Sequence, residues 1–168
     1  NKGKKFKIPI ICIGNIYIGG TGKTPLAIKV HEIVSVLKKD SAFIKKYYNY
    51  LEDEISLLKQ KGKVYAFKSR IKSIKKLVED KYELAILDDG FQDFSIKKDI
   101  SILCFNSKQG VGNGMVIPAG PLREPIQGIK RADCVMINGD KLEIFENNLL
   151  KHNPSLEIFY FKYELLNF

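Results

Sequence analysis

The chain has 168 residues, of which 45% are hydrophobic and 28% are charged, and its formal charge is +9 at pH 7. These values indicate one globular domain with a real core and exclude a disordered chain. No apolar run in the sequence reaches the roughly 18 residues that a membrane span needs. The basic charge fits a nucleic acid, an anionic membrane surface or a phosphorylated substrate, but a solvated lysine-rich surface is the favoured interpretation.

Short apolar runs alternate with amphipathic segments along the chain. The apolar runs predict strands at Ile8–Ile13, Ala42–Ile44, Val64–Phe67, Leu84–Leu87, Ile100–Phe105, Cys134–Ile137 and Ile158–Phe161. The amphipathic segments predict helices at Pro25–Lys39, Glu52–Gln60, Ser69–Lys81 and Leu142–Lys151. The β-α-β-α order predicts an α/β fold with a mostly parallel sheet and helices on both faces. The irregular stretch Asn106–Arg131 is long enough to suggest a functional loop.

A glycine-rich loop follows the first predicted strand. It runs from Gly14 to Thr24, and Pro25 is expected to open the next helix. Backbone N–H groups in such a loop point at an anion, Lys23 would reach the β- and γ-phosphates of ATP, and Thr24 would bind Mg²⁺. The general pattern has glycine where Tyr17 stands, so an ordinary glycine loop is the alternative interpretation. The expected nucleotide-binding residues are Tyr17, Ile18, Gly19, Gly20, Thr21, Gly22, Lys23 and Thr24.

Two adjacent carboxylates follow another buried strand. Asp88 and Asp89 come directly after Leu84–Leu87, and Gly90 follows them. Ligands of parallel sheets bind at the carboxyl ends of the strands, where two carboxylates can hold Mg²⁺ or its waters beside phosphates. The alternative interpretation is a simple turn, because Asp-Gly is a common turn pair. The paired carboxylates favour the metal site.

Three motifs together resemble those of the tetraacyldisaccharide 4'-kinase family. Ile13–Pro25 resembles the phosphate loop of that family, which also lacks the early glycine, and Leu87–Gln92 is similar to its acidic turn. Three further segments of this chain are similar to the long loop of that family: Gly112–Gly114, Pro118–Pro125 and Lys130–Asp133. The motifs agree in order and in approximate spacing.

The resemblance implies a P-loop NTPase-like fold and a magnesium-dependent kinase. Such a kinase transfers phosphate from ATP to the 4'-hydroxyl of tetraacyldisaccharide 1-phosphate, the lipid A disaccharide precursor, at the cytoplasmic face of the bacterial inner membrane. It implies that Lys23 and Thr24 bind phosphate and Mg²⁺ and that Asp88 and Asp89 form the acidic pair. Asp53 is the closest counterpart of the general base in the family's Gly-Asp-Glu-Pro segment, although the flanking Gly and Pro are absent. An exposed charge at a helix start is the alternative for Asp53.

Other positions depart from the family pattern. Lys45–Tyr48 stands where the family usually has Ser-Arg-Gly-Tyr, and Asp93 stands where a histidine commonly follows Gly-Phe-Gln. The family's amino-terminal membrane segment and its carboxy-terminal region, which holds a histidine partnered with the base, have no counterpart here. We therefore expect residues 1–168 to be the kinase core of a longer, membrane-anchored protein. His31 and His152 do not match that histidine and are expected to be packed or solvated.

The arginines of the long loop and the cysteines complete the sequence expectations. Arg123 is a candidate contact for the phosphorylated substrate, with an ion pair to Glu124 as an equal alternative, and an ion pair to Asp133 is favoured for Arg131. Three cysteines lie in apolar runs and are expected to be small buried side chains: Cys12, Cys104 and Cys134.

Two other functions stay open. One is a P-loop kinase or NTPase with a different acceptor. The other is a basic module that docks on anionic lipid or nucleic acid. Because the lysines are scattered and no aromatic stacking platform accompanies them, we expect no nucleic-acid partner.

Overall fold

The computed structural model describes residues 3–48 and 52–162. The described strands are β1 (Ile10–Gly14), β2 (Ser41–Lys46), β3 (Val64–Phe67), β4 (Leu84–Asp88), β5 (Ile100–Asn106), β6 (Cys134–Asn138) and β7 (Glu157–Phe161). The described helices are α1 (Lys23–Val36), α2 (Glu52–Lys59), α3 (Arg70–Glu79) and α4 (Glu143–His152). The strand order is β3-β2-β4-β1 among the first four strands and β5-β6-β7 among the last three. The predicted strands and helices are thereby confirmed, with small shifts at their ends.

The largest shift is at the start and end of α1. It was expected at Pro25–Lys39 and lies at Lys23–Val36, so Pro25 is inside its first turn rather than at its first position. The helix therefore begins with the Lys23-Thr24 pair. Within the described residues, every helix is too short or too polar to cross a bilayer.

The chain divides into two compact units. The first contains Asn1–Gly14 and Lys23–Ser101, and the second contains Asn15–Gly22 and Ile102–Phe168. The expectation that residues 1–168 form a single domain stays a prediction.

In the first unit, β1, β2, β3 and β4 pair in parallel, with β4 between β1 and β2. Ala42, Phe43 and Ile44 are all fully buried, and so are Ala85, Ile86 and Leu87. Because successive side chains of a strand point to opposite faces, unbroken burial means that both faces of the sheet are covered. The helices α1 and α3 pack against these strands.

In the second unit, β5, β6 and β7 pair in parallel. The ring of Phe105 on β5 meets Phe145 of α4 edge to face, with centroids 5.4 Å apart. A 3-10 helix, Ile126–Arg131, ends the stretch that was expected to be irregular, and α4 packs against it. The buried Asn153 side chain donates hydrogen bonds to the carbonyls of Ile129 (3.3 Å) and Ala132 (3.1 Å) and fixes its end.

The three cysteines are free thiols, and their burial differs. Cys12 and Cys104 are buried as expected, whereas Cys134 is only half-buried at the start of β6. The expectation of burial is wrong for Cys134, because an apolar run does not reveal how completely its first residue is covered. Burial raises the pKa of the Cys12 thiol to about 12, and burial also raises the pKa of Cys134, to about 11.

Candidate active site

The charged and hydroxyl side chains of the candidate site in the first unit lie at the carboxyl ends of its strands. Because β1, β2 and β4 are parallel neighbours, their carboxyl ends lie at one edge of the sheet. Lys45 is the second-last residue of β2, and Asp88 is the last residue of β4. Lys23 and Thr24 begin α1. The fold therefore brings together side chains that are far apart in sequence.

Asp88 is the central carboxylate of this group and is fully buried. Its Oδ2 accepts hydrogen bonds from the Thr24 hydroxyl at 3.0 Å and from the Lys45 ammonium at 2.6 Å. Its Oδ1 is buried and has no hydrogen-bond partner among residues 3–48 and 52–162. Thr24 and Asp88, which were predicted separately as metal ligands, are thus in direct contact, and the second carboxylate oxygen is left unpaired.

Lys45 is a charged residue of this group that the sequence interpretation did not select. Its side chain is only 2% exposed, and its Nζ forms ion pairs with Asp88 and with Glu54 of α2. Burial by itself lowers the pKa of the Lys45 ammonium, but the two carboxylates outweigh burial and raise the pKa above its ordinary value. Lys45 directly follows the apolar run Ala42–Ile44, and this position at the end of a buried strand is the sequence signal that could have identified it.

Asp89 lies on the other side of the acidic turn. Its backbone is left-handed, with φ 59°, a conformation that Asp tolerates better than most residues. Its N–H donates to the Ile13 carbonyl at 2.8 Å, and its carbonyl accepts from Arg70 at 2.6 Å. Its carboxylate is 3.9 Å from the Lys23 ammonium. The turn therefore directs the second predicted carboxylate towards the predicted phosphate lysine.

Arg70 and Asp93 stabilise the acidic turn through an ion pair and through the hydrogen bond from Arg70 to the Asp89 carbonyl. Arg70 forms an ion pair with Asp93 at 3.3 Å, and Asp93 also accepts a hydrogen bond from the Ser95 backbone at 3.1 Å. Burial alone raises the pKa of Asp93, but the hydrogen bonds from Ser95 and the Arg70 guanidinium outweigh it and lower the pKa. Asp93, which replaces the family's histidine, thus has a structural partner of its own. Arg70 was not selected from the sequence.

The residues at this edge fit Mg²⁺ that arrives with a nucleotide. In the part of the chain that the structure describes, no cluster of three or more His, Cys, Asp or Glu side chains could hold a metal by itself. Mg²⁺ in nucleotide sites usually takes one or two carboxylates and completes its shell with phosphates and water. The buried, unpaired Oδ1 of Asp88 beside the Thr24 hydroxyl suits that donor set. The metal roles of Thr24, Asp88 and Asp89 stay predictions.

The glycine loop, Asn15–Gly22, belongs to the second unit. The Asn15 side chain donates to the Thr21 hydroxyl at 3.0 Å and so closes the loop across its base. Gly19 and Gly22 have φ values of 110° and 88°, which other residues adopt only under strain. An added Cβ at Gly19 or Gly20 meets nothing within 4 Å, so the backbone there is open to an approaching ligand.

The long loop holds the first half of the glycine loop. The Ile18 N–H donates to the Pro121 carbonyl at 2.9 Å, and the Arg123 N–H donates to the Ile16 carbonyl at 2.8 Å. Between these bonds, Tyr17 pairs with Leu122 as an antiparallel bridge. Tyr17 therefore lies in an extended, strand-like segment, which explains why glycine is not needed there. The contact between these two motifs was not predicted from the sequence.

The long loop carries two arginines, Arg123 and Arg131. Arg131 forms an ion pair with Glu124 at 2.6 Å, and the pairing with Asp133 that the sequence favoured stays a prediction. The side chain of Arg123 as a substrate contact stays a prediction.

Asp53 and the histidines lie as the sequence suggested. Asp53 is exposed in the first turn of α2, and the next residue, Glu54, is the one that contacts Lys45. The role of Asp53 as general base stays a prediction. His31 is packed, because its Nδ1 is 2.7 Å from the Ser41 hydroxyl and its ring lies 4.9 Å from that of Phe43. His152 ends α4 and is half-buried.

The fold and these residues define a P-loop NTPase. A parallel sheet, a glycine loop after its first strand, a Lys-Thr pair at the following helix start and an aspartate at the end of the neighbouring strand are the parts of that class. The profile of LpxK, tetraacyldisaccharide-1-P 4'-kinase, matches residues 1–50 and 47–166. The chain belongs to this family.

Individual relatives agree with the family match. The chain is 43% identical over 163 residues to the tetraacyldisaccharide 4'-kinase of Pelagibacter ubique, covering 96% of this chain and 52% of that protein. It is 39% identical over 150 residues to the enzyme of that name from a Jannaschia species, covering 79% and 46%. The chain thus spans about half the length of the curated relatives it matches.

Solved structures give the same result. LpxK from Aquifex aeolicus, solved in complex with ATP, has a TM-score of 0.72 and 28% identity, covering 82% of this chain and 50% of that one. The hydrogenase maturation factor HypB from Archaeoglobus fulgidus, at a TM-score of 0.61 and 13% identity over 92% of this chain and 81% of that one, shows the fold alone. The P-loop fold expected from the sequence is therefore confirmed.

Proposed function

We propose that the complete protein transfers the γ-phosphate of ATP to the 4'-hydroxyl of tetraacyldisaccharide 1-phosphate in lipid A biosynthesis. The observation that carries the proposal is the buried Asp88 carboxylate, which accepts a hydrogen bond from the Thr24 hydroxyl and whose other oxygen has no hydrogen-bond partner among the described residues. This is the arrangement that a magnesium-nucleotide site needs. The choice of acceptor follows the relatives, which are named for this reaction.

The residues have separate roles in the proposed transfer. Phosphoryl transfer needs positioning and charge neutralisation more than covalent catalysis. The N–H groups of the glycine loop surround the phosphates, and the Lys23 ammonium neutralises charge on their oxygens. Thr24, Asp88 and Asp89 would hold Mg²⁺, which supplies further neutralisation when bound. Asp53 accepts the proton of the acceptor hydroxyl, and Arg123 binds the phosphorylated substrate.

The place of the reaction is also part of the proposal. The acceptor is a lipid, so we propose that the complete protein acts at the cytoplasmic face of the bacterial inner membrane. The formal charge of +9 favours an anionic lipid surface. No nucleic-acid partner is proposed.

A label-transfer assay tests the function. The complete protein is incubated with γ-labelled ATP, Mg²⁺ and tetraacyldisaccharide 1-phosphate, and the labelled lipid is separated and counted. Lys23→Ala removes the ammonium that would face the phosphates, so we expect kcat/KM to fall by about a thousandfold. Lys29→Ala is the matched control on the same helix, because Lys29 is exposed and forms an ion pair with Glu32 at the surface.

The outcomes separate the candidate functions. A protein that binds ATP and never labels this acceptor contradicts the proposal, and an acceptor screen would then identify another P-loop kinase or NTPase. Salt-sensitive binding to nucleic acid or anionic lipid without ATP affinity would instead support a basic docking module. Equal activity of Lys23→Ala and Lys29→Ala would remove Lys23 from the phosphate site.

A further inference from the structure

Lys45 joins two parts of the candidate site that the sequence keeps separate. Its ammonium contacts Asp88 at the end of β4 and Glu54 in the first turn of α2. Asp88 belongs to the metal side of the site, whereas Glu54 adjoins Asp53, the candidate general base. One buried cation thus connects the two sides.

The exposure of the three side chains shows which of them is fixed. Lys45 is 2% exposed and Asp88 is 0% exposed, but the Glu54 side chain is 47% exposed. A buried ammonium is strongly destabilising unless carboxylates pair with it, so Lys45 stays bound to Asp88. The half-exposed Glu54 carboxylate is held by its ion pair with this fixed ammonium.

Fixing Glu54 also fixes Asp53. The two residues are consecutive in a helix turn, where each residue advances the chain by about 100° and 1.5 Å. An anchor at Glu54 therefore adds to the packing of the buried Ile55 and Leu58 in setting the rotation and height of α2, and with them the position of the Asp53 carboxylate. Ile55 follows Glu54, so no proline restrains the backbone at this place.

We propose that Lys45 is a positioning residue that holds the first turn of α2, and with it Asp53, in register with the Asp88 turn. The proposal rests on the proposed kinase function and adds a residue to it. In this role Lys45 acts through Glu54 and does not touch the nucleotide. Its removal lowers kcat and leaves the affinity for ATP nearly unchanged.

A double-mutant cycle on the complete protein tests the link. Lys45→Met, Glu54→Gln and the double variant are compared by steady-state kinetics, with Lys76→Met as the control, since Lys76 forms an exposed ion pair with Asp80. We expect Lys45→Met to lower kcat by about tenfold or more and to change the KM for ATP by less than about threefold. Glu54→Gln lowers kcat less, and the double variant is no worse than Lys45→Met alone.

Three results would overturn the proposal. In the first, the two single effects multiply in the double variant. In the second, Lys45→Met mainly raises the KM for ATP, which would mean that Lys45 binds the nucleotide. In the third, Glu54→Gln keeps the wild-type kcat; because Glu54 is half exposed, this variant is expected to fold even if Lys45→Met does not.

Hydrogen exchange separates this proposal from the proposed function. If the wild-type protein transfers no phosphate to the lipid, the function is wrong, but the link can still be measured. We expect Glu54→Gln to speed amide exchange in Glu52–Lys59 by about tenfold or more while Arg70–Glu79 keeps its rate. Unchanged exchange in Glu52–Lys59 would overturn the proposed link.

Discussion

The acidic turn of the first unit and the glycine loop of the second are maintained by different kinds of interaction. Asp88 in the acidic turn is fully buried and depends on the charges of Lys45 and on the Thr24 hydroxyl. The glycine loop depends on backbone bonds, such as that from Ile18 to Pro121, and on left-handed glycines. Side-chain charge is therefore the weak point of one region, and backbone conformation is the weak point of the other.

The largest expected effect is in the charged region. Asp88→Asn leaves the buried Lys45 ammonium without the fully buried carboxylate that pairs with it, so we expect the free energy of unfolding to fall by about 3–5 kcal/mol. Urea denaturation of wild type and variant measures this difference. Phosphoryl transfer should be lost as well, since the carboxylate that would face Mg²⁺ is gone.

Asp89→Asn is the matched control for that change. The Asp89 side chain is 27% exposed and 3.9 Å from Lys23, and Asn tolerates its left-handed backbone. We expect a loss below about 1 kcal/mol, as for other partly exposed ion pairs. If both variants lose the same free energy of unfolding, pairing with the buried Lys45 ammonium does not make Asp88 more important for stability than Asp89.

A smaller effect is expected in the glycine loop. Gly19→Ala forces a residue with a Cβ to adopt φ 110°, so we expect a loss of about 1–2 kcal/mol in the free energy of unfolding. Gly20→Ala is the control, because its added Cβ meets nothing within 4 Å and its φ is not left-handed. That variant should stay within about 0.5 kcal/mol of wild type. Similar losses at both glycines would mean that backbone conformation is not what the loop depends on.

The sequence predicted the two regions unequally. Buried strands occur as continuous apolar runs, Lys23 and Thr24 lie in one local motif and Asp88 lies in another, so the sheet and these site residues could be predicted from the sequence. Lys45 was not, because hydrophobic patterning carries no information about which lysine finds carboxylates from two other elements. The bond between Ile18 and Pro121 was also missed, since backbone pairing between loops leaves no local signal.

The smallest expected effect is the pH dependence of the stabilisation that the Arg70–Asp93 ion pair gives to the acidic turn. Arg70 and the hydrogen bonds from Ser95 lower the pKa of Asp93 below its ordinary value of 3.8. A carboxyl with a lowered pKa in the folded state stabilises the fold above the unfolded pKa, and this stabilisation is lost as the pH falls through the folded pKa. Asp93→Asn should therefore be less stable than wild type at pH 6, by about 1 kcal/mol or less.

The difference between wild type and Asp93→Asn should shrink as the pH falls below 3.8, because wild-type Asp93 then takes up a proton. Urea denaturation series at several pH values measure it. Gly20→Ala in the glycine loop adds no titrating group, so its difference from wild type should not change with pH. If the Asp93→Asn difference is equally constant, charge does not hold the acidic turn, and packing of the Arg70 stem must support it instead.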